Sequence, residues 1–286
     1  MNFRDFWLSN ISEKNPRFKA LLFDVDGTVV SGRTALPGAE NFLQYLRQSG
    51  TPFCFLTNDS DHSQAEKAVR IGKSQVTAYA DEIISCGNAL SIFVEKEKLA
   101  GSKVFIMGRL GDPDYAELAG LIPCRDLSGI DECSFVIAGE GHYDFLRTAE
   151  AVTNYFLRHP ERKLVVPNPD SVWPNNGRVG LCAGSEARFI ANILKELQIN
   201  IEPIYLGKPH TMIFEYARDF IKKKFALNDL LDSEIIMLGD SLASDIAGAK
   251  RFGCKSALMM TGLTTPEILA HTLPEEMPDM IFDSIA

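Results

Sequence analysis

Short apolar runs alternate with amphipathic segments of helical period along almost the whole chain, and this alternation constrains the fold more than any other feature. Phe18–Val25 and Pro52–Leu56 read as buried strands. Pro37–Gln48, which opens on a proline and stops at Gly50, and the polar stretch Ser60–Ile71 read as helices. Toward the carboxyl end the strands are Glu202–Leu206, Glu234–Leu238, Lys255–Met259 and Met280–Phe282, with helices at Thr211–Lys223, Leu242–Phe252 and Thr265–His271. Strands alternating with helices predict an α/β fold, a doubly wound parallel sheet of Rossmann-like type covered on both faces. The middle of the chain repeats the texture, with strands at Lys103–Met107, Ser134–Ala138 and Leu164–Val166 and helices at Asn88–Leu99 and Asp144–Leu157. A block of about 100 residues suffices for a smaller α/β domain of its own. The expected organisation is a core in two parts, 1–86 and 184–286, around an inserted domain at 87–183, with small residues near Gly87 and Cys182–Gly184 as hinges.

Composition narrows the function classes. The chain has 286 residues, 45% of them hydrophobic and 23% charged, which is ordinary for a folded protein and excludes fibrous or disordered classes. Its net charge of −9 repels a phosphate backbone, so nucleic acid is not an expected partner. No apolar run approaches the ~18 residues of a membrane span, and the first ten residues carry charges where a signal peptide is apolar. The six cysteines are scattered without a C-x-x-C pair, which points to reduced thiols in a cytoplasmic protein and to no zinc site. Oligomeric state is left open, a homodimer included.

Four polar clusters follow apolar runs directly. Asp24-Val25-Asp26-Gly27-Thr28 ends the first strand, and alternation in a strand would turn both carboxylates to one side. A turn capped by Asp-Gly is the alternative; a calcium loop is a poor fit, since its glycine follows alternating oxygen ligands at position 6. Thr57-Asn58 offers hydroxyl, amide and backbone N–H donors suited to an anion, or a plain helix cap. Lys208, in Gly207-Lys208-Pro209-His210, is a point charge for a phosphate or a solvated surface lysine; His210 reads as a helix-start residue. Asp240 stands at a strand-to-helix junction and Asp245 in the first turns beyond it, as ligand, support or dipole-favoured cap. In a doubly wound sheet the carboxyl ends of the strands form one ligand crevice, so all four clusters would converge. Three carboxylates, a lysine and neutral donors suit Mg²⁺ bridging a phosphate.

These residues resemble the haloacid-dehalogenase-like superfamily: Asp24-x-Asp26-Gly27-Thr28, Thr57, Lys208 and Gly239-Asp240-x-x-x-x-Asp245 occur in the family's order. The likeness runs from about Phe18 to the carboxyl terminus. The long insert between Thr57 and Lys208, Val166-Pro167-Asn168-Pro169-Asp170 within it and the closing Ile281–Ile285 are similar to the NagD-like, para-nitrophenylphosphatase-like branch with a large α/β cap. The resemblance implies a Mg²⁺-dependent phosphatase acting on a small phosphorylated metabolite. Asp24 would be the nucleophile that forms an aspartyl-phosphate, and Asp26 the acid and base, its carbonyl also touching the metal. Dehalogenating relatives lack the second aspartate. Thr57, Asn58 and Lys208 would bind the phosphoryl group, Asp24, Asp26 and Asp240 would hold Mg²⁺, and Asp245 would support them. The branch usually carries Thr-Asn-Asn, and here Asp59 replaces the last Asn; the added carboxylate would either weaken phosphate binding or cap the helix from Ser60, and capping is the expected role. Asn168 and Asp170 are candidates for a substrate loop. A receiver-like phospho-signalling module and a catalytically idle phosphate-binding protein are the alternatives.

Overall fold

A computed structural model describes residues 2–12, 16–175 and 178–286, with the side chains of 174 and 175 left aside. The chain divides into two compact units: residues 1–57, 64–84 and 208–286 form the first, and residues 58–63 and 85–207 the second.

The first unit is built on a six-stranded sheet in the order 280–282, 255–259, 235–239, 20–23, 53–57, 83–85. Ala20–Phe23 pairs in parallel with Ile235–Gly239 on one side and Phe53–Thr57 on the other, with Phe23 opposite Leu238 and Phe55. Every residue of Ala20–Phe23 and Ile235–Gly239 is buried, as a parallel sheet covered on both faces requires. The sheet order reverses at Ala20–Phe23: the chain first adds strands on one side, then returns after the second unit to add three on the other. A helix over Phe3–Ile11, capped by Asn2, sinks Phe3 and Trp7 into this core; burying each such ring contributes about 1.5–3 kcal/mol.

The second unit carries its own parallel sheet of five strands, in the order 204–205, 164–166, 135–138, 103–107, 122–124. Its order reverses at Lys103–Met107, between that strand and Phe135–Ala138. The helices Phe145–Arg158 and Ala183–Glu196 bury Val152, Phe156, Ala187 and Ile190 in its core.

The expected α/β class, with a smaller α/β insert, is what the chain folds into. The expected return to the core at residue 184 is corrected: Ala183–Glu196 packs in the second core and Ile204–Tyr205 pairs with Val165–Val166, so the second unit runs to Gly207. Gly184 is a packing position rather than a hinge, since a Cβ there would stand 2.1 Å from the Pro169 carbonyl oxygen. The helix expected from Ser60 begins at Gln64. The short strands Ile83–Ser85 and Ile122–Cys124, and the antiparallel ribbon Val172–Asn175 with Arg178–Leu181, were not among the expected elements.

Candidate active site

Asp24 and Asp240 leave the carboxyl ends of the two strands that flank the reversal of the first sheet, where open α/β sheets bind ligands. The Asp24 backbone N–H donates to the Leu238 carbonyl at 2.8 Å, which extends the ladder by one residue and brings the two junctions together. Lys208, which opens the last segment of the unit, is buried and donates from Nζ to Asp24 Oδ1 at 2.6 Å and Asp245 Oδ1 at 2.7 Å. The surface-lysine alternative is therefore excluded.

Asp240 is gripped from the loop after Lys255–Met259. Leu263 N–H donates to its Oδ2 at 2.5 Å, and the Thr264 hydroxyl to its carbonyl at 2.6 Å. Gly27 has a φ of +80°, which an L side chain rarely adopts, and a Cβ there would meet Asp240 Oδ2 at 2.2 Å; at Gly262 the same clash would come at 1.8 Å. Thr261 closes the contact by donating to the Gly27 carbonyl at 2.6 Å. The 261–264 loop was not among the expected site residues; its only sequence signal is a Thr-Gly pair directly after an apolar strand.

Asp245 stands closer to the centre than a support seen from sequence. Leu242–Ile246 forms one wide π turn before the α-helix Ala247–Phe252, and such turns often mark functional sites. That turn lets Asp245 reach Lys208 with one oxygen while the other accepts Ser241 N–H at 3.1 Å. Among the described residues, Asp24, Asp240 and Asp245 form one group in which one carboxylate oxygen of each lies within 4.8 Å of the others, an arrangement that could hold a metal ion.

Asp26 is not in that group. The strand ends at Phe23, so period-two alternation no longer governs residues 24–26, and Asp26 is exposed. Thr57 ends its strand half-buried, on the same edge as Asp24. Asn58, the next residue, is buried in the second unit, where its Nδ2 donates to Asp170 Oδ1 at 3.0 Å. Asp59 caps a turn, not a helix: its Oδ1 accepts N–H groups of Asp61 and His62 at 2.9 and 3.2 Å, and the helix waits until Gln64. His210 precedes its helix without a side-chain cap, and burial, then Arg251, lower its pKa.

Burial raises the pKa of Asp24 well above the usual carboxylate range; Lys208 opposes the rise, and Asp245 and Asp240 add to it. Asp240 is pushed up to about 6 by burial and by Asp245. Burial acts to discharge Lys208, but Asp24 and Asp245 overcome it and hold the ammonium charged. Three carboxylates against one ammonium leave a negative excess, and a hard divalent cation is the species that would balance it.

The haloacid dehalogenase-like hydrolase family matches residues 21–122, and the HAD-hydrolase-like family matches residues 205–286. The chain belongs to the haloacid dehalogenase-like hydrolases. Its relatives and structural neighbours are consistent with the NagD-like, para-nitrophenylphosphatase-like branch of that family. It is 27% identical over 252 residues to the acid sugar phosphatase of Staphylococcus saprophyticus, covering 87% of this chain and 89% of that protein. The p-nitrophenyl phosphatase of Archaeoglobus fulgidus superposes with a TM-score of 0.76 at 24% identity, over 94% of this chain and 97% of that one. The glycerol phosphate phosphatase of Mycobacterium tuberculosis, solved in complex with magnesium, superposes with a TM-score of 0.75 at 23% identity, over 94% of this chain and 76% of that one. This haloacid dehalogenase-like chain is an enzyme, a phosphatase. Among its described residues no helix is long and apolar enough to cross a membrane.

Proposed function

We propose that the chain is a Mg²⁺-dependent phosphatase that hydrolyses a small phosphomonoester through an aspartyl-phosphate on Asp24. The observation that carries this reading is the Lys208 ammonium, buried between Asp24 and Asp245 beside Asp240. Lys208 occupies Asp24 Oδ1, so Oδ2 is the oxygen that attacks phosphorus. The P–O bond to the substrate alcohol breaks as the bond to Asp24 forms, and Asp26 delivers a proton to the departing oxygen. Asp26 then takes a proton from water, whose oxygen attacks the phosphorus and releases phosphate and Asp24. The exposure of Asp26 suits a group that must meet substrate and solvent in turn. Lys208, with the Thr57 hydroxyl and Asn58, neutralises and orients the phosphoryl oxygens in the loose transition state.

Asp24, Asp240 and the Asp26 carbonyl would hold Mg²⁺, with Asp245 as their neighbour. The bound ion supplies positive charge that offsets repulsion between these carboxylates and an incoming phosphate. A cytoplasmic setting belongs to the same proposal and rests on six scattered cysteines, none of them in a disulfide.

Hydrolysis of para-nitrophenyl phosphate, followed with and without EDTA and in Asp24→Asn, tests the reading. Turnover is expected to vanish in both cases. Activity that survives both overturns the mechanism.

A further inference from the structure

Asn58 is tied into a closed chain of hydrogen bonds that lies wholly within the second unit. Its Nδ2 donates to Asp170 Oδ1 at 3.0 Å, and the Asp170 N–H donates to Asn168 Oδ1 at 2.9 Å. Asn168 turns its Nδ2 the other way, onto Glu140 Oε1. The same oxygen accepts the Ser60 hydroxyl at 3.2 Å, which returns the chain to the segment that carries Asn58. Gly207 closes the remaining side: a Cβ there would stand 2.5 Å from Asn58 Oδ1 and 2.7 Å from the Pro167 carbonyl. Both ends of the Asn58 amide are thereby oriented.

Glu140 is the unusual member. It follows the strand Phe135–Ala138 at the reversal of the second sheet, where its backbone exchanges hydrogen bonds with Arg109 at 2.7 and 2.8 Å. Its carboxyl faces Asp59 and Asp61 of the segment 58–63, with Tyr143 and Cys182 as further titratable neighbours; the Arg109 guanidinium lies 3.9 Å from Asp61. Burial first, then Asp59 and Asp61, push Glu140 up to about 8 against the hydrogen bonds from Asn168 and Ser60. Near neutral pH it is therefore a neutral acid. It accepts two donors without adding a charge beside Asp170.

We infer that Glu140, Asn168 and Asp170 are positioning residues that set the Asn58 amide and, through it, the chain that follows Thr57 at the phosphate site. The inference rests on the proposed phosphatase reading, in which Thr57 and Asn58 hold the phosphoryl group. A misplaced phosphate contact weakens ground state and transition state alike, so its signature is a raised KM.

The test compares Glu140→Ala, Asp170→Ala and Glu140→Gln on para-nitrophenyl phosphate, with inorganic phosphate as a competitive inhibitor. In Glu140→Ala and Asp170→Ala, KM and the phosphate inhibition constant are expected to rise about tenfold while kcat changes less than about threefold. Glu140→Gln keeps the geometry of the neutral acid, so its KM matches the wild type at pH 7. It stays flat to pH 9, where ionisation of Glu140 raises the KM of the wild type. A purely structural role would instead lower the melting temperature and kcat with KM unmoved. KM within about twofold of the wild type in both alanine variants, or a loss in Glu140→Gln as large as in Glu140→Ala, overturns the inference. With a wild type that turns over and an inactive Asp24→Asn, those results sink the positioning role alone. A wild type without turnover sinks the phosphatase reading first.

Discussion

The molecule buries acid groups at the reversal of each of its two sheets and neutralises them by different means. In the first unit, Asp24 and Asp245 share the Lys208 ammonium, with Asp240 beside them. In the second, Glu140 has no ion pair among the described residues and meets burial by holding its proton, with Asn168 and Ser60 donating to it. The difference follows from what each place can do. A cation favours the ionised form of the carboxylates beside it, the form a nucleophile or a metal ligand uses, and so opposes the rise that burial imposes on Asp24. A retained proton gives a neutral acceptor that orients Asn168 and Ser60 without adding a buried charge.

Lys208→Met is the hardest test of that contrast. It strands two buried carboxylates, and breaking a buried pair costs about 3–5 kcal/mol. Loss of the charge that meets the phosphoryl group should lower kcat by about 10³-fold or more, read from para-nitrophenyl phosphate turnover and urea unfolding. Magnesium should then raise the stability of the wild type, by about 2.7 kcal/mol at a hundred times its dissociation constant, while Asp240→Asn responds far less. Calorimetric melting at increasing Mg²⁺ measures this, and equal responses in the two proteins would place the ion elsewhere.

Gly262→Ala aims a Cβ at Asp240 Oδ2, so a loss of about 10–100-fold in Mg²⁺ affinity is expected from a Mg²⁺ titration of activity. Glu140→Gln has the smallest effect, and its sign depends on pH. The folded pKa of Glu140 lies above the unfolded one, so its contribution is fully present below about pH 4.5 and is lost as pH rises toward 8. The glutamine variant has no proton to lose. It should gain on the wild type across that window, by about 1–2 kcal/mol after local relaxation, read from urea unfolding at pH 5, 7 and 9.

Much of the first site was legible in the residues because each motif is local. Asp24, Thr57 and Asp240 lie at or next to the end of an apolar run, and the run announces the strand whose carboxyl end presents them. The second acid centre was less legible. Asn168 and Asp170 read from sequence only as a candidate substrate loop, and Glu140 carries no sequence signal, because a glutamate after a strand looks like any surface glutamate until its burial is known. The boundary at Gly207 was hidden for a similar reason, since nothing in residues 184–207 states which of two sheets they will join.

The order of apolar runs and polar junctions determined the α/β class, the insertion and the residues at the first sheet's carboxyl edge, because strand period and turn chemistry act over a few neighbours. Only the tertiary structure decided that Asp245 reaches Lys208 through a π turn, that Asp26 stays exposed and that Glu140 is deep enough to keep its proton. Those outcomes depend on register, close backbone approach and removal from water, which arise between segments that are distant in the chain.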